Sequence, residues 1–273
     1  QGHETVYAQF LSDQSGIPVE RIDVIQGDSD RIATGGGTGG SRSVTVQNTA
    51  TLASVEKMIA QFTPLLAEKM GVSEDEVMFD DEAFRSDGSN LSFTMIEAAE
   101  LAKKEGQEQL LTSEARITLS AQSFPNGAHL AEVEIDPDTG VVTVDRYTVV
   151  DDFGNLINPM LVAGQVHGGI AQGLGQALTE RAVFDEDGQL LTASFMDYAM
   201  PRADDVPMIS FSTEAVPTST NPMGMKGCGE AGTVGSMAAI ANAVQDAVAP
   251  LGIDRVDMPF TPHRMWQILN AQR

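Results

Sequence analysis

The chain's 273 residues carry 39 acidic against 16 basic side chains, a formal charge of −23. That balance argues against DNA, RNA or an anionic membrane surface as partner, because phosphate binding needs clustered Lys and Arg. A single cysteine, Cys228, rules out a disulfide within the chain, and an iron–sulfur centre takes about four cysteine ligands, more than this chain can supply alone. The length suits one large domain or two of ordinary size. A hydrophobic content of 42% is that of a globular protein rather than a disordered one. No window reaches the roughly 20 apolar residues of a membrane span, and residues 1–30 lack the charged-then-apolar layout of a signal peptide. The chain opens without Met on Gln1-Gly2-His3-Glu4-Thr5, in a sequence with the texture of a domain interior, and a fragment or processed subunit is expected.

In chain order, a short helix carrying Val6 and Phe10 is ended by Gly16 and Pro18. Residues 21–25 are expected to form a strand. The loop Gly35-Gly36-Gly37-Thr38-Gly39-Gly40-Ser41-Arg42-Ser43 then leads into a long helix. In that helix Leu52, Val55, Ile59, Phe62, Leu66 and Met70 recur at spacings of three and four, one helical face. Pro64 is expected to kink it and Gly71 to stop it. A glycine loop before a helix can present backbone amides to a phosphate; a flexible linker is the competing reading, and the P-loop spacing is absent. Between residues 72 and 119 the sequence reads as peripheral. Val77 to Phe79 and Leu91 to Phe93 are expected to pair, and Thr94-Met95-Ile96-Glu97 is a capping box opening a helix that Gly106 closes.

Residues 129–136 and 141–150 alternate apolar and polar around Asp136-Pro137-Asp138-Thr139-Gly140, which predicts a β-hairpin. Asn158 is a candidate N-cap and Pro159 a first helical residue. The helix that follows carries Gly164, Gly168, Gly169, Gly173 and Gly175. Each costs about 1 kcal/mol relative to Ala, so close approach of another backbone or of a ligand is expected to offset them. His167 in that helix has no second histidine at ligand spacing and reads as a structural, hydrogen-bonded residue. Residues 182–184, 190–198 and 208–211 are expected as strands. Four glycines within nine residues, 224, 227, 229 and 232, then strip Cβ atoms from both sides of Glu230. Glu230 is placed at or just before the start of a helix running to Ala249, beside amides able to hold an anion. A solvated glycine-rich turn is the bland alternative. A last helix is expected behind Thr261-Pro262.

Six stretches taken together resemble the molybdenum hydroxylases, the family of xanthine dehydrogenase, aldehyde oxidase and aerobic carbon monoxide dehydrogenase. They are QGHET at 1–5, GTGGSRS at 37–43, DD-x-G-x-x-INP at 151–159, GQVHGGIAQGLGQAL at 164–178, MDYAMPRADDVP at 196–207 and NPMGMKGCGEAGTVGS at 221–236. Each is weak alone, but their order is the family's, and the match is to the C-terminal half of the large, molybdenum-binding subunit. The resemblance implies an α+β fold of mixed sheets and packed helices, in two lobes at 1–120 and 121–273. It implies molybdenum held through a pterin dithiolene, as molybdopterin cytosine dinucleotide, with no metal ligand from the chain itself. Glu230 matches the glutamate that takes a proton from the metal-bound hydroxyl. Gln1, Gly2, His3 and Thr5 match a motif contacting the dinucleotide, and Thr38, Gly40, Ser41 and Arg42 match a second such loop. Gln165 and Gln172 match polar positions lining the cofactor tunnel, while Lys226, Gly227, Cys228 and Gly229 would wrap the metal end.

Two departures stand out: Cys228 replaces a small aliphatic residue and Gly39 an aromatic one. Cys228 itself reads as a small buried hydrophobe rather than a nucleophile. Further implications are an N-terminal half of the large subunit, an iron–sulfur subunit and an FAD subunit in a dimer of heterotrimers, with a cytoplasmic setting at or near the inner membrane face. The substrate would be an aldehyde, an N-heterocycle or carbon monoxide. Two other readings remain open at this point: a cofactor-gripping piece without chemistry of its own, and a structural domain that uses its glycines for packing.

Overall fold

The computed structural model describes residues 1–271 and divides into two units, Gln1–Gln122 with Ser219–Gly224, and Ser123–Thr218 with the chain from Met225 onward. The first unit is mainly helical. Helix α1 (His3–Ser15) stops at Gly16, whose left-handed backbone lets its N–H bond the Ser12 carbonyl. A Cβ at Gly16 would also lie 2.5 Å from the Glu82 Cβ, so both backbone conformation and packing select glycine there. Helix α2 (Ser43–Met70) packs on α1 and buries Val55, Phe62, Leu65, Leu66 and Met70, the face that the spacing predicts. It continues through Pro64, which is exposed, as is Ala60, the residue whose carbonyl loses the Pro64 partner. Gly71 ends it in a left-handed cap bonded to Ala67 and Glu68.

The expected strand at 21–25 is absent. Val19–Arg21 is a 3-10 turn and the chain beyond is irregular, with Ile25 41% exposed and no neighbouring strand to pair it. The pairing expected between 77–79 and 91–93 is also replaced. Strands β1 (Met78–Asp80), β2 (Ala83–Arg85) and β3 (Phe93–Thr94) form a sheet in which β2 lies between the other two. The cause is a two-residue turn at Asp81-Glu82, both at positive φ, the backbone that closes tight hairpins. Its usual signal is Asn-Gly, so Asp-Glu conceals it. Phe84 of β2 meets Phe62 and Phe79 edge to face, with centroids 6.3 and 4.8 Å apart. Helix α3 (Met95–Lys104) closes this core with Met95, Ala98 and Ala102 and starts at the predicted Thr94–Glu97 capping box.

The second unit is built on the predicted hairpin. Strand β4 (Asn126–Ile135) runs antiparallel to β5 (Val142–Asp152), with a register shift between Glu132 and Val133. Asp136 ties the connection by accepting from the Asp138 amide and the Thr139 hydroxyl. The expected strands at 182–184 and 190–198 reduce to one bridge, Phe184 with Leu190. The chain at 194–198 instead turns back on the Ser194 carbonyl, which accepts from Asp197 and Tyr198. Strand β6 (Ile209–Thr213) forms, and it pairs with β5 in parallel. The α+β class expected from the sequence holds.

Against this sheet pack helices α4 (Pro159–Leu178), α5 (Ala231–Val248) and α6 (Pro262–Asn270). Their core joins Tyr147, Val149 and Phe153 to Val166, Ile170 and Leu174 of α4, to Ile240 and Val244 of α5, and to Met265 of α6. Thr261 occupies the N-cap position of α6, but its side chain makes no capping bond. The glycines of α4 divide into two groups. A Cβ at Gly169 would lie 2.9 Å from the Thr233 amide and 3.0 Å from the Gly232 Cα, and one at Gly173 would overlap the Ser236 hydroxyl and lie 2.9 Å from the Thr233 carbonyl. A Cβ at Gly232 would in turn lie 2.8 Å from the Ile170 amide nitrogen. Gly164 and Gly168 meet nothing within 4 Å.

This division predicts opposite signs for one substitution. Gly164→Ala is expected to stabilise the protein by about 0.5–1 kcal/mol, through the helix propensity of Ala. Gly173→Ala should cost about 1–3 kcal/mol by overpacking. Denaturant unfolding of the two variants decides; equal effects of the same sign contradict this account of the helix pair.

Candidate functional site

The segment that carries Glu230 leaves the end of β5's neighbourhood under close control. Gly154 bridges to Met225, and the Lys226 amide donates to the Phe153 carbonyl at 2.8 Å. The Lys226 ammonium lies 2.5 Å from Asp152 Oδ2, with the two side chains only 9% and 13% exposed. Asp152 Oδ1 accepts from the Val216 amide at 3.0 Å and the Gly154 amide at 2.9 Å. Burial alone would push the Asp152 carboxyl up, but the Lys226 hydrogen bond, the two amides and the Lys226 charge outweigh it and hold it down at about 2. A buried pair of this kind keeps its geometry when its charges have partners, and the Asp152 carboxylate has the Lys226 ammonium and two backbone amides.

Beyond Lys226 the backbone is nearly bare. Gly227 and Cys228 are half-buried, Gly229 and Glu230 exposed. Cys228 packs on the core of this unit, and its thiol is pushed up chiefly by burial, with a backbone hydrogen bond opposing and the Asp151 charge adding a smaller upward push. That agrees with a small apolar residue rather than a thiolate nucleophile. Glu230 stands at the N-cap position of α5, with φ −108 and ψ −10, and its carbonyl accepts the Val234 amide at 3.0 Å. A carboxylate there faces the positive end of the α5 dipole.

Helix α4 starts as the sequence predicts: Asn158 accepts from the Leu161 amide at 3.0 Å and Pro159 follows it. Gln165 is half-buried and Gln172 exposed, seven residues apart and therefore on one face. The Thr233 hydroxyl, in the first turn of α5, lies 3.1 Å from the Gly169 carbonyl and 3.2 Å from Gln172 Oε1. Thr233 thus links Gln172 to the helix end that bears Glu230. His167 is exposed and meets the Phe211 ring edge-on at 6.1 Å.

The remaining candidates belong to the first unit. Gly2 enters α1 at φ 77, and the His3 ring stacks on Tyr7 at 5.2 Å, with Gln1 and Thr5 exposed. In the second loop Gly40 and Ser41 both take positive φ, at 66 and 53, and the Ser43 hydroxyl donates to Thr38 Oγ1 at 3.1 Å. Residues 31–40 and Arg42 are exposed, and Cβ atoms at Gly35, Gly36, Gly37, Gly39 and Gly40 would meet nothing. Packing therefore explains Gly169, Gly173 and Gly232, but neither this loop nor Gly164 and Gly168.

Among the described residues no group of three or more His, Cys, Asp or Glu is placed to hold a metal ion. Within the second unit, the uncovered surface at Gly164 and Gly168 of α4 leaves room for a bulky group, since Cβ atoms there would meet nothing within 4 Å among the described residues; in the first unit the same holds of the glycines of the 35–40 loop. No helix is long and apolar enough to cross a membrane among these residues.

Sequence reasoning missed two buried arrangements. In the sequence Asp151 and Asp152 form one motif, although consecutive strand residues face opposite ways. His129 stands there only as a hairpin position. Its register partner is Val149, which places it diagonally between Tyr147 and Asp151 on one face of the sheet, a signal available once the hairpin is aligned.

The sequence profile of the molybdopterin cofactor-binding domain matches residues 1–207. The carbon monoxide dehydrogenase large chain of Afipia carboxidovorans is 35% identical over 272 residues, 98% of this chain and 34% of that protein. The nicotine 6-hydroxylase large subunit of Paenarthrobacter nicotinovorans is 35% identical over 276 residues, covering 97% of this chain and 33% of its own length. Among solved structures, reconstituted CO dehydrogenase from Oligotropha carboxidovorans superposes with a TM-score of 0.88 at 33% identity, over 99% of this chain and 34% of that one. The chain thus spans about a third of the relatives it matches, and the Glu230 segment, outside the profile match, is within the matched region of all three.

The Asp152 clamp has a definite pH signature. A carboxyl held below its ordinary value stabilises the fold fully above the usual carboxylate range, and that contribution is lost as pH falls through about 2. Asp152→Asn should remove the part of the stability loss between about pH 4 and pH 2 that this group causes. Acid unfolding followed by circular dichroism measures it; an unchanged slope in the variant contradicts the clamp.

Proposed function

This chain belongs to the molybdenum hydroxylase family as a molybdopterin cofactor-binding region, and we propose that it is the C-terminal part of a large subunit in which Glu230 acts as the base. The substrate class is an electron-poor carbon, in an aldehyde, an N-heterocycle or carbon monoxide, oxidised with oxygen derived from water. The observation that carries this reading is an exposed carboxylate on a bare, clamped backbone at a helix start that packs on α4, a helix whose Gly164 and Gly168 no described residue covers.

When bound, molybdenum with its pterin supplies an acidifying centre and a two-electron acceptor. The chain's own residues do the rest. Glu230 takes a proton at a carboxylate oxygen, as a positioned general base. The Asp152–Lys226 pair keeps the backbone before it in place. Lys226, Gly227, Cys228 and Gly229 shape the wall beside it, and Gln165 and Gln172 offer amide groups along α4 to the polar edge of the pterin. Gln1, Gly2, His3, Thr5, Thr38, Gly40, Ser41 and Arg42 hold the nucleotide end, the cytosine dinucleotide form being the one proposed. An uncovered loop whose backbone turns through positive φ at Gly40 and Ser41 suits a phosphate.

With one cysteine these 273 residues lack the roughly four ligands that an iron–sulfur cluster needs, so the electron route proposed lies outside them. We therefore assign it an iron–sulfur subunit and an FAD subunit as partners, together with the remaining part of the large subunit, in a dimer of heterotrimers. In the complete complex, assayed with an artificial electron acceptor, Glu230→Gln should lower turnover by about 10²–10⁴-fold at full molybdenum loading. Undiminished turnover would refute the base assignment.

The coverage of about a third of each relative favours a second reading for the chain by itself, a cofactor-gripping piece without turnover. Metal analysis and pterin fluorescence of the isolated chain address it: little or no cofactor and no activity is the expected outcome, and a loaded, active chain would overturn it.

A further inference from the structure

Behind the Glu230 segment lies a buried polar chain with no assigned role. Asp151 is 2% exposed, and its Oδ1 lies 3.3 Å from His129 Nε2, whose side chain is 7% exposed. His129 Nδ1 lies 2.8 Å from the hydroxyl of Tyr147, itself 1% exposed. A carboxylate can only accept, so the geometry puts the imidazole proton on Nε2 and leaves Nδ1 to accept the Tyr147 O–H. Burial and the Asp151 charge push the Tyr147 hydroxyl up, which keeps it a donor. The other oxygen, Asp151 Oδ2, is buried without a hydrogen-bond partner among the described residues. Buried charge with an orphaned oxygen is costly, and nothing in the hairpin itself requires it.

What the chain touches explains its place. The His129 ring lies flat under the first turns of α5, where a Cβ at Gly235 would come within 2.5–2.6 Å of three ring carbons. On the other side, the Asp151 charge adds a smaller upward push to the Cys228 thiol, which burial chiefly raises. The next residue, Asp152, points to the opposite face of the strand and grips Lys226. Two adjacent carboxylates therefore act on both sides of one residue in the sequence: Asp152 on Lys226 before Glu230, and Asp151, through His129, on Gly235 after it.

We propose that Asp151 and His129 are positioning residues for Glu230, holding the start of α5 from below while Asp152 holds the approach through Lys226. The proposal rests on the reading of Glu230 as the base for its functional meaning, but the bracket itself is a property of the fold. Glycine at 235 follows from it, because the imidazole occupies the space of its Cβ. Cys228, half-buried in the segment before Glu230, feels the Asp151 charge and so reports on that grip.

Cys228 makes the bracket measurable without turnover. On the complete protein, alkylation of Cys228 by iodoacetamide is followed against pH by mass spectrometry of its peptide, alongside deuterium uptake. In Asp151→Asn the alkylation midpoint should move to lower pH, because a charge opposing the thiolate is gone. Amides of 228–235 should exchange at least tenfold faster in Asp151→Asn and His129→Gln. Val244→Ala, a core change in the same unit, should instead raise uptake across the unit and leave the midpoint in place. If Asp151→Asn does not fold, Gly235→Ala, whose Cβ displaces the ring, is read for the same local loss of protection. An unmoved midpoint, or uptake that rises uniformly as in Val244→Ala, overturns the bracket whatever Glu230→Gln does to turnover. A moved midpoint with a fully active Glu230→Gln would keep the bracket and remove the base.

Discussion

The second unit depends on one contact, the backbone-to-backbone approach of α4 and α5 at Gly169, Gly173 and Gly232. Ordinary helices pack about 8–10 Å apart through side chains, and glycines allow a closer approach. Here the Gly232 Cα and the Thr233 amide press on α4 with no room for a methyl group. The consequence is positional. Thr233 can reach the Gly169 carbonyl and Gln172 only because the helices touch, so the start of α5, with Glu230, is fixed against the polar face of α4. A helix with five glycines is poor by propensity, and tertiary contact accounts for those at 169, 173 and 175, the last against Pro201. The exposed pair at 164 and 168 has no such return within the chain, and that imbalance is the strongest physical hint of a bound group.

The acidic character of the chain bears on this group in an unexpected way. A net charge of −23 repels anions at long range, yet the proposed cofactor carries phosphates. Local dipoles resolve the tension: backbone amides at loop turns and helix starts are fixed partial charges that act at contact distance, where the distant acidic surface is screened by solvent. In the loop proposed for that role, Gly40 and Ser41 take two successive positive φ values, and Cβ atoms at Gly39 and Gly40 would meet nothing within 4 Å. Lys226, by contrast, has its charge committed to Asp152 and works as a structural cation.

Much of this was legible in the sequence where a local rule decides the structure. Alternation around Asp136 to Gly140 fixed the β4–β5 hairpin, Thr94 and Glu97 marked the start of α3, and Asn158-Pro159 that of α4. Glycine framing located Glu230 at a helix start. The rest depended on partners distant in sequence. Residues 21–25 and 190–198 have strand-like composition but find no ladder to join. The Asp81-Glu82 turn forces positive φ on residues that seldom adopt it, so no propensity reveals it. The parallel pairing of β6 with β5 needs the intervening α4 and its long return to be known first. Asp151 and Asp152 read as a motif, and only the strand's alternation separates a residue that serves His129 from one that serves Lys226.

The central claim is that a molybdenum-bearing group lies against the Glu230 carboxylate. Anomalous scattering at the molybdenum edge, measured on crystals of the complete complex, tests it most directly. The account predicts a single strong peak per copy of this chain, close enough to Glu230 for its carboxylate to reach an oxygen on the metal by one hydrogen bond. A peak elsewhere, with Glu230 open to bulk solvent, would contradict it.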